Sequence, residues 1–251
     1  MPYSRYAVYI APPPDSDLWR FGCGVIGRDA MTGLSCEGFA PEGHESEAWR
    51  RLTSEPRRYG FHATMKAPFD LRADLDIADL MDHVAAFART IAPFDIGELG
   101  IGAVKMNGRA FAALTPTDGA PELRALEQRA VRSLDKLRAP LTEAERRRRE
   151  SASLSPRQRY YLEAWGYPYV LDEFRPHFTL TNAVADSGRI TRALEWEFKL
   201  RVASGSLRVD ALTLFGEPRP GADFKILRRF PLASPNRARR RAPRAASSFI
   251  G

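Results

Sequence analysis

Two short strings, 59-YGFHATMKAPF-69 and 175-RPHFTLTNA-183, each place a histidine two residues ahead of a threonine with apolar residues between. The chain has four histidines in 251 residues, and two of them, His62 and His177, stand in this frame. Around the first, Phe61, Ala63 and Met65 alternate with His62, Thr64 and Lys66; around the second, Phe178 and Leu180 alternate with Arg175, His177, Thr179 and Thr181. Period two marks a half-buried strand, in which residues i and i+2 share a face about 6.5–7 Å apart. Each string therefore presents an imidazole and a hydroxyl to one surface. Two such strands facing each other would surround one volume with two imidazoles and two hydroxyls.

That volume suits a phosphodiester. A neutral imidazole takes a proton from the attacking water or hydroxyl, and a protonated one gives a proton to the leaving oxygen. Histidine's ordinary pKa of about 6.5 lets both forms coexist near neutrality. Thr64 and Thr179 are expected to donate to the non-bridging oxygens, where negative charge builds. Lys66 and Arg175 share the faces of their histidines and are expected to add charge stabilisation. Tyr59, Tyr167 and Tyr169 flank the strings and are expected to stack on a ring or bond a sugar hydroxyl. The scheme needs no metal, and no cofactor is expected.

The other two histidines offer less. His83 falls off the apolar stripe of a helix and reads as a surface residue, and His44 has Glu42, Glu45 and Glu47 nearby but no second histidine at ligand spacing. Gly-x-Ser-x-Gly, the Walker loop and CxxC are absent from the sequence. Acyl transfer by a serine elbow and NTP hydrolysis thus have nothing to rest on. The glycines at 22, 24 and 27 do not follow a strand at the spacing of a phosphate loop.

The elements that must position the two strings repeat in order. After the first comes a helical stripe (Ile77, Leu80, Met81, Val84, Phe87, Ile91) with Asp76 as N-cap and Pro93 beyond its end. Then 98–116 reads as two strands around Asn107-Gly108. After the second string comes a helix over 187–200 with Ser187 as cap, then strands at 206–215 and 224–232 joined by GEPRPGAD. The order strand, helix, strand, strand occurs twice. The fold class expected is α+β: a bilobal, duplicated chain whose antiparallel sheets face each other across a pseudo-twofold cleft, each unit forming its own sheet. One domain is expected over 1–234, with a first lobe at about 59–116, a helical insertion at about 117–174 and a second lobe at about 175–234. The insertion carries Leu123, Leu126, Ala130, Leu134 and Leu137 at helical spacing, and a Ser155-Pro156 helix start. Ahead of everything lie a strand at 6–10 and a Gly-rich, partly helical stretch.

The net charge of +7 is concentrated in 235–251, which holds five arginines and no acid; without them residues 1–234 carry +2. That tail is expected to be disordered, and 146-RRRR-149 to be one end of a solvated helix. Two cysteines, Cys23 and Cys36, are too few for a disulfide framework or a cysteine zinc site. The longest early apolar run is far too short for a membrane span, and the start lacks the basic flank and cleavage site of a secretory signal. A cytoplasmic protein with no membrane partner is expected.

The two H-x-T-apolar strings, one in each half of a duplicated α+β chain, resemble the two-histidine (2H) phosphoesterase superfamily. More narrowly, RYGFHATMKAPF and WGYPYVLDEFRPHFTLT resemble its branch encoded among phosphonate-degradation genes and left as of unknown function. The resemblance spans about residues 3 to 232. It implies a bilobal fold and metal-independent work on cyclic phosphates or 2′,5′-type phosphodiesters. By the same resemblance, His62 and His177 are the acid/base pair and Thr64 and Thr179 hold the phosphate. The insertion, which RNA-processing relatives generally lack or replace, favours a substrate smaller than RNA, such as a cyclic sugar phosphate. Two alternatives stay open: RNA end processing with the arginine tail on the backbone, and a binding module without chemistry. The near-symmetry leaves open which histidine is the acid.

Overall fold

The computed structural model describes residues 3–36, 38–106, 109–150 and 154–233. The arginine tail lies outside them. Among the described residues eight strands form two four-stranded antiparallel sheets. The first has the order β2-β1-β7-β8, from Ala63–Phe69, Arg5–Ile10, Ala211–Glu217 and Lys225–Pro231. The second has the order β5-β4-β3-β6, from Phe178–Thr179, Arg109–Pro116, Phe94–Met106 and Ser206–Val209.

This order corrects the expectation that each unit builds its own sheet. The first motif strand, β2, pairs with β1 beside β7 and β8 from the second half. The second, β5, pairs with β4 of the first half. The connecting helices explain the exchange. Helix α4 (Ile77–Ala88) is about 18 Å long at 1.5 Å per residue. It packs on β7 and β8 and delivers the chain to the other sheet, while α8 (Gly188–Arg201) packs on β3. The stretch 206–215 is likewise not one strand: it breaks at Asp210, and β6 joins one sheet while β7 joins the other. Both motif strands thereby end up as sheet edges, and β2 and β5 meet.

The remaining helices are α1 (Asp17–Ile26), α2 (Ser46–Leu52), α3 (Ser54–Tyr59), α5 (Pro121–Leu134), α6 (Glu143–Glu150) and α7 (Pro156–Trp165). Their ends follow local chemistry. Asp76 opens α4 with a capping box to Asp79, and Ser155 opens α7 with one to Gln158. Ser16 caps α1, which ends at Gly27 in the left-handed conformation. The arginine run lies on α6, where Arg146 pairs with Glu143 and Glu163.

One hydrophobic core runs between the sheets and their helices and includes Ile10, Phe61, Met65, Leu114, Phe178 and Phe215. A smaller cluster of Val131, Tyr161, Val170 and Leu171 holds the insertion together. Among the described residues no helix is long and apolar enough to cross a membrane. Cys23 is buried, Cys36 is partly buried, and both are free thiols.

Candidate active site

His62 and Phe61 precede β2, and His177 precedes β5, so each motif sits where a strand begins. Phe61 and Phe178, each beside a motif histidine in sequence, are fully buried and pack on each other, ring centroids 5.3 Å apart. Further bracing crosses the halves. Asn182, just past the second motif, donates from Nδ2 to the carbonyl of Arg51 and to Ser54 Oγ, and its Oδ1 accepts from the Glu55 amide. Those residues lead directly into the first motif.

His62, Thr64, His177 and Thr179 line one cleft of about 440 Å³, together with Tyr9, Tyr59, Phe111, Tyr167 and Thr181. The four residues of the two motifs are thus brought together. The imidazoles are oriented alike. Nδ1 of His62 lies 2.8 Å from the carbonyl of Gly60, and Nδ1 of His177 lies 2.6 Å from that of Arg175. A carbonyl only accepts, so each Nδ1 carries the proton and donates to the residue two before it. Each Nε2 is left as the titrating atom. The first of these bonds depends on Gly60, whose φ of +81° suits glycine; a Cβ there would stand 2.6 Å from Ala30.

The two rings differ in their surroundings. His62 stacks on Tyr9 with centroids 3.6 Å apart and planes 14° from parallel, and Thr64 Oγ1 lies 3.3 Å from its Nε2. Tyr9 itself is 1% exposed. His177 meets Phe111 at a tilt, with centroids 5.2 Å apart. Burial pushes the pKa of His62 down to about 3, against the opposing bond to Gly60 and with a further lowering by His177. Burial lowers His177 as well, again opposed by its carbonyl bond. Neutral imidazole is favoured at both positions.

Lys66 does not line this cleft. A register shift between Val8 and Tyr9 interrupts the alternation of β2, so Lys66 leaves the face of His62 and Thr64. It is 3% exposed, and its Nζ donates to Asp135 at 2.6 Å. Burial lowers its pKa despite that bond.

The other expected ligands are dispersed. Tyr59 lines the cleft but also stacks on Phe224 at 5.2 Å. Tyr167 lines the cleft and also an adjoining chamber of about 200 Å³, which Tyr169 and Arg175 share. Burial raises the Tyr167 hydroxyl to about 12. His44 packs against Trp49, and His83 lies with Nδ1 2.8 Å from the Asp79 carbonyl, both away from the cleft. Among the described residues no cluster of His, Cys, Asp or Glu is arranged to hold a metal ion.

Two contributors escape the motif reading. Tyr9 lies 53 positions before His62, on a strand paired to β2, and nothing local marks it. Glu127 has a signal: it falls on the buried stripe of α5 with Leu123, Leu126, Ala130, Val131 and Leu134. An acid on an apolar stripe points to a special setting. Glu127 is 2% exposed, lines the adjoining chamber and accepts from the amide of Leu171. Leu171 has a φ of +58°, a left-handed backbone costing a side-chain-bearing residue about 1 kcal/mol. Burial raises the Glu127 carboxyl to about 8, opposed by the Leu171 amide and Lys66.

The chain belongs to the family described as protein of unknown function DUF1045, whose model matches residues 64–225. It is 35% identical over 235 residues to a ribose 1,5-bisphosphate phosphokinase PhnN of Janthinobacterium sp. (strain Marseille), covering 92% of this chain and 51% of the relative. It is 36% identical over 228 residues to the protein of that name in Laribacter hongkongensis (strain HLHK9), covering 89% and 51%. The chain thus spans about half the length of the curated relatives it matches. Among solved structures it is similar to E. coli LigT complexed with NADP+ (TM-score 0.45, 12% identity, 92% of this chain and 99% of that one). It is also similar to Kluyveromyces marxianus Usb1 (TM-score 0.41, 11% identity, 92% and 99%). These structural likenesses are distant.

Proposed function

We propose that the chain hydrolyses a small cyclic phosphodiester by two-histidine acid/base catalysis without a metal. One observation carries this reading: both imidazoles donate Nδ1–H to the carbonyl two residues earlier and line one cleft with two threonines. His62, more strongly held neutral, takes the proton from water through Nε2. Protonated His177 gives its Nε2 proton to the leaving oxygen. The reverse assignment would need His62 charged against its burial and against His177. Water adds oxygen to phosphorus, the ester P–O bond breaks, and the leaving alkoxide becomes a hydroxyl. Thr64 and Thr179 donate to the non-bridging oxygens as charge builds there.

A ribose skeleton is the substrate class to test first. The curated relatives carry the name ribose 1,5-bisphosphate phosphokinase, while this chain has no G-x-x-x-x-G-K-S/T string with which to bind a nucleotide's phosphates. Opening a 1,2-cyclic phosphate of ribose 5-phosphate at O2 yields ribose 1,5-bisphosphate. The chain would then make the compound in the relatives' name. The insertion supplies Tyr167 and Glu127 to the cavity walls, which favours a small substrate over an RNA strand.

The test is turnover of a panel of 1,2- and 2′,3′-cyclic phosphates followed by phosphorus NMR in EDTA. Conversion of a cyclic phosphate to a monoester, lost in His62→Ala and His177→Ala, is the expected result. Binding with the ligand unchanged would identify a non-catalytic module instead. Turnover that survives both substitutions would overturn the reading.

A further inference from the structure

The adjoining chamber opens toward a shallow groove, and the two share Val104, Lys105 and Arg175. Lys105 comes from β3 and Arg175 from the segment leading into β5, two residues before His177. Both are exposed, and neither has an acidic partner among the described residues. Several nearby cations are engaged otherwise, and Arg149, which lines the histidine cleft, stands over the Tyr167 ring at 5.9 Å. Arg5 and Arg58 are both held by Glu217, and Lys66 and Arg138 by Asp135. Arg124, also in the groove, spends donors on the carbonyls of Phe174 and Gly119, which fixes the backbone carrying Arg175 and adds a third positive charge.

The cleft holds the two imidazoles and the threonine hydroxyls, with Arg5 and Arg149 also on its wall. The chamber offers acceptors, Glu127 and Glu173, of which Glu173 also accepts from Gln158 at 3.0 Å. Its outer rim offers cations without counter-charges. A free phosphate monoester meets that rim favourably, since charge-assisted bonds to guanidinium and ammonium are the strong ones. The Glu173 carboxylate on the chamber wall would repel the same group, so its place is at the rim and the hydroxyl-bearing part belongs inside.

We infer that Lys105 and Arg175 form a second anion subsite that recognises a phosphate monoester on the non-reacting part of the substrate. This rests on the reading that the histidine cleft opens a cyclic phosphate, and it narrows the substrate class to phosphorylated cyclic sugar phosphates. Arg175 acts through its side chain here; its carbonyl bond to His177 survives substitution of the side chain.

A matched pair tests it: one five-membered cyclic phosphate of ribose with a 5-phosphate and the same compound without. The wild type is expected to prefer the phosphorylated member by about tenfold or more in kcat/KM, with a preference that weakens in salt. In Lys105→Ala/Arg175→Ala that ratio should fall toward one. A ratio unchanged by the substitutions, or a wild type indifferent to the 5-phosphate, overturns the subsite while leaving the cyclic phosphodiesterase standing. A second measurement is independent of turnover: calorimetric binding of ribose 5-phosphate. Loss of about tenfold in affinity in the double variant supports the subsite even where neither cyclic compound is hydrolysed, a failure that would fall on the catalytic reading alone. Equal affinity in both proteins overturns it.

Discussion

The two motif strands carry the same letters but stand in different chemical settings. β2 is seven residues long, and its histidine is sandwiched against Tyr9 with a threonine hydroxyl at Nε2. β5 is two residues long, and its histidine touches Phe111 only at a tilt. The shared feature, the Nδ1–carbonyl bond, fixes where each Nε2 points. The unshared ones set how readily each Nε2 takes a proton. The motifs form a matched pair, and the neighbours of His62 hold its ring neutral well into the acid range.

The largest effects come from removing the rings. His62→Ala and His177→Ala should each reduce kcat/KM on the cyclic phosphate by about 10²–10⁴. Their pH profiles should differ. With His62 neutral above about 3 and His177 protonated only below its lowered pKa, the wild-type kcat/KM is expected to peak below pH 6.5 and fall through neutrality. His62→Ala should lose the acidic limb and His177→Ala the basic one; a swap of the limbs would reverse the assignment. The hydroxyls come next. Thr64→Val should cost about 10²-fold in kcat, and Thr179→Val less, because only Thr64 also lies against its histidine's Nε2. Equal losses would make that contact irrelevant.

A structural effect separates the halves further. Glu217 is unexposed and binds both Arg5, on β1, and Arg58, which leads into the first motif. Burial raises its carboxyl, but the two guanidiniums outweigh that and hold it at about 2. Glu217→Gln should destabilise by about 3 kcal/mol in urea unfolding, since it strands buried charge. In the wild type this carboxylate's contribution is complete above pH 4.5 and lost as pH falls toward 2. The half-buried His62 acts in the same direction: the unfolded chain binds its proton at 6.5 and the folded one only near 3, so stability also falls with pH across that window. Glu217→Gln should flatten the lower part of the acid limb, and an unchanged limb would assign it elsewhere. The smallest effect on turnover is expected from Lys66→Met, which should lower stability through Asp135 and leave kcat within about twofold. A large loss of kcat would return Lys66 to the cleft.

Much of this was legible in residue order. Period two at 61–65, the Asp76 cap, the Ser155-Pro156 helix start and the strands on either side of Asn107-Gly108 are local signals, and each produced its element. The parity of Lys66 departs from the alternation because a register shift depends on the partner strand, which sequence alternation does not report. The exchange of sheets and the break at Asp210 were hidden for the same reason, since a strand's letters do not name its neighbour. Tyr9 could not be assigned to His62 because only pairing of β1 with β2 brings them together. Glu127, by contrast, is visible in the sequence as a lone acid on an apolar stripe.

The joint action of the two imidazoles on one phosphorus is tested most directly by comparing His62→Ala/His177→Ala with each single variant, following cyclic phosphate opening by phosphorus NMR. Residues that act as a unit are non-additive, so the double variant should be no slower than the slower single one. Losses that multiply would mean that the two histidines serve separate steps or separate sites.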